Sequence, residues 1–416
     1  MPAARRPPSR QITARQGRGP RRRAQPELRW RAAVQLVLGA ALASRYGRGM
    51  SMRHHHLPAA FIARFSKENG RPARGRRVSV LRKSWLSARS MRASEVGCEK
   101  EFYSFKDNRF SRGVPLDMID QVWQAYENRL NLCVNALISS TDEIDARIWS
   151  RTLVPFVAGL FVRNPDFDVR YRTRIAELFG HCDDTNDVAH SASSPDQINM
   201  ARMVELHRLL SGIMTADWDV LHFAPDEPIV TNDLGYAFQE DRLYDDLPGG
   251  VIIPLQRTEA LVVMPRCINQ IAHWTVGGWM RRVEHFEVPH GYMRERNRAI
   301  AWAAREFIIG TDADEIEQYG ESLREESPSI EPAELGLATA WVTRRREHEW
   351  HRLVSALERT PEEILADGFE IDFESIVADW HPTMIFPAIT NRQSQTALAF
   401  DGRGIYLNLV DFEGRS

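Results

Sequence analysis

Four polar residues stand out as able to do chemistry: His54, His55, Asp233 and Asn297. The histidines open the run Arg53-His54-His55-His56-Leu57-Pro58, and Asp233 sits in the turn Thr231-Asn232-Asp233-Leu234-Gly235. Adjacent imidazoles offer ring nitrogens to a divalent metal, and an aspartate on a turn can complete the ligand set or serve as a base. A site built this way uses His54, His55 and Asp233, with Asn297 hydrogen-bonded to orient one of them. It would suit a metal-dependent hydrolase or nuclease. The competing reading is architectural. Histidine and asparagine then satisfy buried backbone groups where the N-terminal segment docks on a sheet, the aspartate caps its turn, and the chain is a non-enzymatic binding or interaction protein.

Other polar clusters are weaker. His348-Glu349-Trp350-His351 brings its second histidine one residue too early for a His-Glu-x-x-His metal helix. His181-Cys182-Asp183-Asp184, with Asp187 and His190, holds ligand-type residues without a known spacing. There is no P-loop, dinucleotide fingerprint, G-x-S-x-G or kinase motif. Cys98, Cys133, Cys182 and Cys267 form no C-x-x-C pair, which fits a reducing, cytoplasmic compartment better than a disulfide framework.

The positioning elements are legible as periodicity. Apolar residues at 57, 61, 62 and 65 predict a helix over His54–Phe65, and Val78–Leu81 reads as a strand. Leu116, Met118, Ile119, Val122, Trp123, Tyr126, Leu130 and Leu132 begin a long apolar stripe. Thr141-Asp142-Glu143 is expected to cap the next helix, and a third, with Val204 on its apolar face, starts near Pro195. From Asp217 the texture changes to short strands at 229–231, 251–253 and 261–264. Asn297 falls in a helix. Beyond it come a long helix over 332–358, a helix start at Thr360-Pro361 and a hairpin through 397–410. The fold expected is α+β: a predominantly helical body with a small, mostly antiparallel sheet.

Charge is unevenly spread along the 416 residues. Residues 1–92 hold 23 of the 54 Lys and Arg but only two acids, Glu27 and Glu68; the remaining 31 bases face 54 acids, a formal charge of −23 over residues 93–416. So acidic a body repels phosphate, and non-specific nucleic-acid binding is expected only of the basic leader. That leader, residues 1–52, is arginine-rich and expected to be disordered. Its run Trp30–Ala43 imitates a signal peptide and is too short to span a bilayer. A secretion signal, a transit peptide and an early start codon ahead of Met50 and Met52 all fit, the last best.

These landmarks, taken in order, resemble the DUF4238 family, a group of uncharacterised proteins. The resemblance rests on the His54-His55 pair with Pro58, the acidic stretch ending in Phe102-Tyr103, and Trp218 in its strand. It continues through the Thr231–Asp233 turn, Pro254-Leu255 and Asn297. Asp233 stands where the family aspartate stands, while Asn232 replaces a serine and the following proline is absent. The resemblance implies a domain over residues 53–310, with 311–416 as an extension packed on it, and supplies no reaction.

Overall fold

The computed structural model describes residues 53–68, 70–106, 117–179, 194–238, 250–264, 273–327, 329, 357–366, 370–376, 387–391, 396–400 and 405–409. The leader, the helix expected over 332–358, the Cys182 loop and the His348 motif lie outside these residues.

The histidines form strand β1, Arg53–His55, rather than the helix their spacing suggests. Proline restricts the residue before it to extended backbone. The helix therefore starts only after Pro58, as α1 (Ala59–Ile62) and a 3-10 turn, Ala63–Phe65. Strands β2 (Arg77–Arg82), β3 (Arg89–Arg92) and β4 (Cys98–Lys100) follow.

Helix α2, Met118–Ser139, buries Met118, Ile119, Val122, Trp123, Tyr126, Leu130, Cys133, Val134 and Leu137 at the three-to-four spacing of one face. Leu132 lies off that stripe and is 71 % exposed. The helix expected to start at Thr141 begins later. Residues Glu143–Asp145 form strand β5, and the Asp145 carboxylate caps the next turn by accepting the Arg147 N–H at 2.7 Å. A helical turn (Ala146–Ile148) and a π-helical turn (Trp149–Leu153) lead into α3, Val154–Arg163, then α4, Pro165–Phe179. Helix α5, Pro195–Thr215, starts with Pro at N1 and Ser194 as cap. Val204 on α5 is exposed.

The C-terminal half supplies most strands: β6 (Asp217–His222), β7 (Thr231–Asn232), β8 (Ala237–Phe238), β9 (Val251–Gln256), β10 (Glu259–Met264), β11 (His273–Thr275), β12 (Gly278–Arg282) and β13 (Glu284–Glu287). Helix α6 (Tyr292–Ala303) precedes β14 (Phe307–Gly310), and the short helices α7 (Ala313–Glu317), α8 (Gly320–Arg324) and α9 (Pro361–Ala366) follow. Strands β15 (Glu370–Ile376), β16 (Pro387–Asn391), β17 (Thr396–Phe400) and β18 (Ile405–Leu409) end the described chain.

The strands make four sheets: β1-β4, β3-β2-β14-β7, β13-β6-β10-β9-β8, and β15-β16-β17-β18-β11-β12-β5. Among the described strands only β13 with β6 pairs in parallel. The fold is α+β, a helical body with small, mostly antiparallel sheets. Its core holds the fully buried rings of Trp123, Trp149, Trp218, Phe61, Phe65, Phe156 and Phe161. Among the described residues no helix is long and apolar enough to cross a membrane.

Candidate functional site

Strand β1 is three residues long and reaches across 43 residues to its partner. His54 lies opposite Glu99 and His55 opposite Cys98, and the His56 N–H continues the ladder to Gly97 O at 2.8 Å. Successive side chains on a strand point to opposite faces, so the two neighbouring imidazoles face different surroundings.

His54 points inward and is 1 % exposed. Its Nδ1 accepts the Tyr103 backbone N–H at 2.8 Å, and its ring stacks on the Tyr103 ring at 5.3 Å. The neutral ring therefore carries its proton on Nε2, a buried nitrogen without a hydrogen-bond partner among the described residues. Burial depresses the His54 pKa against the opposing pull of Asp120 and Asp117.

His55 donates Nδ1–H to Val96 O at 3.3 Å, which leaves Nε2 as the lone-pair nitrogen on a half-buried ring. Its pKa is also lowered, chiefly by burial. His56 places Nε2 3.2 Å from Glu99 Oε1 and sets its edge on the Phe102 ring. All three imidazoles are thus engaged with the segment Val96–Tyr103.

The strand is held from beneath by Arg163, at the end of α3. Its Nη2 donates to His55 O at 2.9 Å, its Nη1 lies 2.5 Å from Glu127 Oε1, and its backbone carbonyl accepts the Tyr103 hydroxyl. Burial works against the Arg163 charge, but Glu127 and the flanking tyrosines prevail and hold its pKa above the usual arginine value. Helices α2 and α3 pass closely here: a Cβ on Gly159 would collide with the Tyr126 hydroxyl.

Asp233 serves a different junction. Its Oδ1 accepts the Arg305 N–H at 2.9 Å and its Oδ2 the Glu306 N–H at 2.7 Å, while its own N–H donates to Phe307 O at 3.1 Å. Burial pushes the carboxyl pKa up to about 7, outweighing the two N–H donors that pull it down. Arg305 extends the junction by placing Nε 2.7 Å from Asp166 on α4.

The two asparagines bind backbone. Asn297 Oδ1 accepts the Val230 N–H at 2.9 Å, and its amide donates to Pro228 O at 3.0 Å and to the Tyr319 hydroxyl at 3.2 Å. Asn232 donates to Tyr236 O and Ile300 O and accepts the Gly235 N–H, which closes the turn. Gly235 sits at φ +78, a left-handed conformation that glycine adopts without a steric penalty.

The structure therefore brings His54 and His55 to Val96, Tyr103 and Arg163, and brings Asp233, Asn232 and Asn297 to the backbone between β7, α6 and β14. The histidine strand and the aspartate turn approach each other through Leu57, which packs on Gly235. Among the described residues no three His, Cys, Asp or Glu side chains are grouped to hold a metal ion. Residues that periodicity did not single out matter most at the histidines. Arg163, Glu127 and Asp120 touch or face them, and the one sequence signal is an arginine ending the apolar run Val154–Val162.

A family model describing proteins of unknown function matches residues 53–314, from Arg53 at the start of β1 through the Asp233 turn to α7. The chain belongs to the DUF4238 family. No curated protein and no solved structure matches it. The DUF4238 match covers His54, His55, Asp233 and Asn297, while Tyr319, which accepts from Asn297, lies just beyond it.

Proposed function

We propose that this DUF4238 chain is a non-enzymatic binding or interaction protein in which His54, His55, Asp233 and Asn297 hold the fold together. The observation that carries this reading is the use of Asp233: both carboxylate oxygens accept backbone N–H groups at the start of β14. Each oxygen thus commits one lone pair to a backbone donor and the side chain is buried, so the turn it holds accounts for the residue, and among the described residues no group of three ligand-type side chains forms around it.

A second reading rests on a different observation. Among the described residues the buried His54 Nε2–H lacks a partner, and a divalent metal that took the place of this proton and joined His55 and Asp233 would make the chain a hydrolase or nuclease. Elemental analysis of the full chain beside a His54→Ala, His55→Ala, Asp233→Ala triple variant separates the two. Absence of metal from both proteins, with the variant unfolding, is the expected result. Near-stoichiometric metal lost from a still-folded variant would overturn the architectural reading in favour of the metal site.

A further inference from the structure

The charge boundary of this chain does not coincide with the start of its fold. Of the 23 Lys and Arg in residues 1–92, 12 are arginines of the first 50 residues, which leaves eleven between Arg53 and Arg92 against a single acid, Glu68. The basic part of the chain, residues 1–92, therefore continues into folded structure. It takes in the 3-10 turn Ala73–Gly75 and the β2–β3 hairpin.

Five arginines here are exposed: Arg71, Arg74, Arg77, Arg89 and Arg92. They lie beside one another. Arg76 Nε donates to Arg71 O at 3.0 Å, Ala93 N–H donates to Arg76 O at 2.9 Å, and Arg77 stands directly opposite Arg92 in the hairpin register. Like charges placed opposite each other on neighbouring strands destabilise the pair. The local acids neutralise little of this: Glu68 stands 3.7 Å from Arg71 and Glu95 4.0 Å from Arg92. Arg77 turns to the Ser90 hydroxyl and carbonyl at 2.9 and 2.7 Å rather than to a carboxylate.

Protection of an edge strand by charge accounts for Arg89 and Arg92 on β3. It does not account for Arg71, Arg74 and Arg76, which precede β2. We infer that the ridge formed by Arg71, Arg74, Arg76, Arg77, Arg89 and Arg92 binds the phosphate backbone of a nucleic acid. Guanidinium groups match phosphate in geometry and charge. The acidic body over residues 93–416 repels the same polymer, so contact by the folded domain is confined to this face. The nearby Trp85 indole is already covered by Arg89 at 4.4 Å and Arg82 at 5.3 Å. Trp85 is therefore not open as a stacking platform for bases, and recognition at the ridge is of phosphate, independent of base sequence.

The test is fluorescence anisotropy of the full chain with a labelled single-stranded RNA, an RNA of equal length and different base sequence, the first sequence as DNA, and its duplex, each over a salt series, beside sedimentation with phosphatidylserine vesicles. The ridge variant is R74S/R76S/R77S/R89S. Its control, R172S/R282S/R294S/R298S, removes as many arginines elsewhere, all four of them exposed. Both keep the basic leader, so their difference reports the ridge alone. Each phosphate contact contributes about −0.7 to −0.9 to the slope of log K against log salt. The ridge variant should thus lose about three from that slope and about 600-fold in affinity near 0.1 M salt. The control should stay within a few-fold of the parent. If the ridge variant unfolds by circular dichroism, R74S and R89S singly decide, each with an expected loss of about fivefold. Equal binding by ridge and control variants, a strong preference between base sequences, or binding to phosphatidylserine vesicles but not to nucleic acid would overturn the inference.

Discussion

Leu57 lies against Gly235 so closely that a Cβ on the glycine would stand 2.7 Å from Leu57 Cδ2 and 2.9 Å from Leu160 Cδ2. The two motifs that mark this chain are therefore joined by an aliphatic side chain seated on a bare α-carbon. Their polar groups each look away, into separate backbone networks.

Gly235→Ala meets both a left-handed backbone and this contact. Left-handed φ alone costs an ordinary residue about 1–2 kcal/mol, and overpacking adds about 1–3 kcal/mol. Urea titration should show a loss of at least 2 kcal/mol. Leu57→Ala in the same chain should recover part of it, because neighbouring substitutions couple. Additive losses would mean that the contact does not restrain the turn.

Asp233 makes stability depend on pH in a direction opposite to most carboxylates. Its folded pKa, about 7, lies above the 3.8 of a free aspartate, so the folded state holds the extra proton between those values. Stability from this group is present at low pH and is lost as pH rises through 7. The stability of the parent chain minus that of Asp233→Asn should therefore grow as pH falls from 7 to 4, by on the order of 4 kcal/mol. A difference that shrinks over the same range would show that the two backbone donors, not burial, dominate the site. Glu315, held up to about 7 by burial and Asp312, adds a pH dependence of the same sign that both chains share.

His54 acts in the opposite sense. Its folded pKa is below 6.5, so the unfolded chain binds the proton more readily, and stability is lost as pH falls below 6.5. His54→Phe keeps a ring beside Tyr103 but leaves the Tyr103 N–H without its acceptor, at a cost of about 1–3 kcal/mol. Chemical denaturation at pH 7.5 and 5.5 should find the variant less stable at the higher pH, with a smaller loss between the two than the parent.

Arg163→Met should be among the most damaging single changes, since removing one partner of a buried ion pair costs about 3–5 kcal/mol. Glu127 would be left beside β1, and His55 O would lose its donor. Adding Glu127→Gln should restore part of the melting temperature. No recovery would indicate that the lost carbonyl contact, and not the stranded charge, sets the cost.

Much of the frame was legible in the chain before its structure. Helices α2 and α5, strand β2 and the switch to short strands after Asp217 each carry a clear period, because each buries one face against a core. The histidine segment misled because its apolar spacing is helical only from Pro58 onward. Before it, the backbone groups find partners 43 residues away, at a distance that no local pattern reveals. Asp233 and Asn297 were recognisable as special residues, and backbone anchoring was one of the two readings the sequence left open; which backbone groups they hold was not legible. Their partners lie on β14 and on the segment before β7, and no periodicity links either partner to a single polar side chain. Arg163 was hidden for a related reason, since an arginine ending an apolar helix reads as a solvent-facing terminus.

The pairing of β1 with β4 also sets how far the chain can be shortened from its N-terminal side. A cut after Arg53 spares the core but takes one rung from the two-stranded sheet. A cut after His55 removes the acceptor for Tyr103, the acceptor for Arg163 and the ring stacked on Tyr103 together. Tags and fusion partners belong upstream of Arg53, and a library of truncated expression clones should lose soluble protein abruptly within the next three codons.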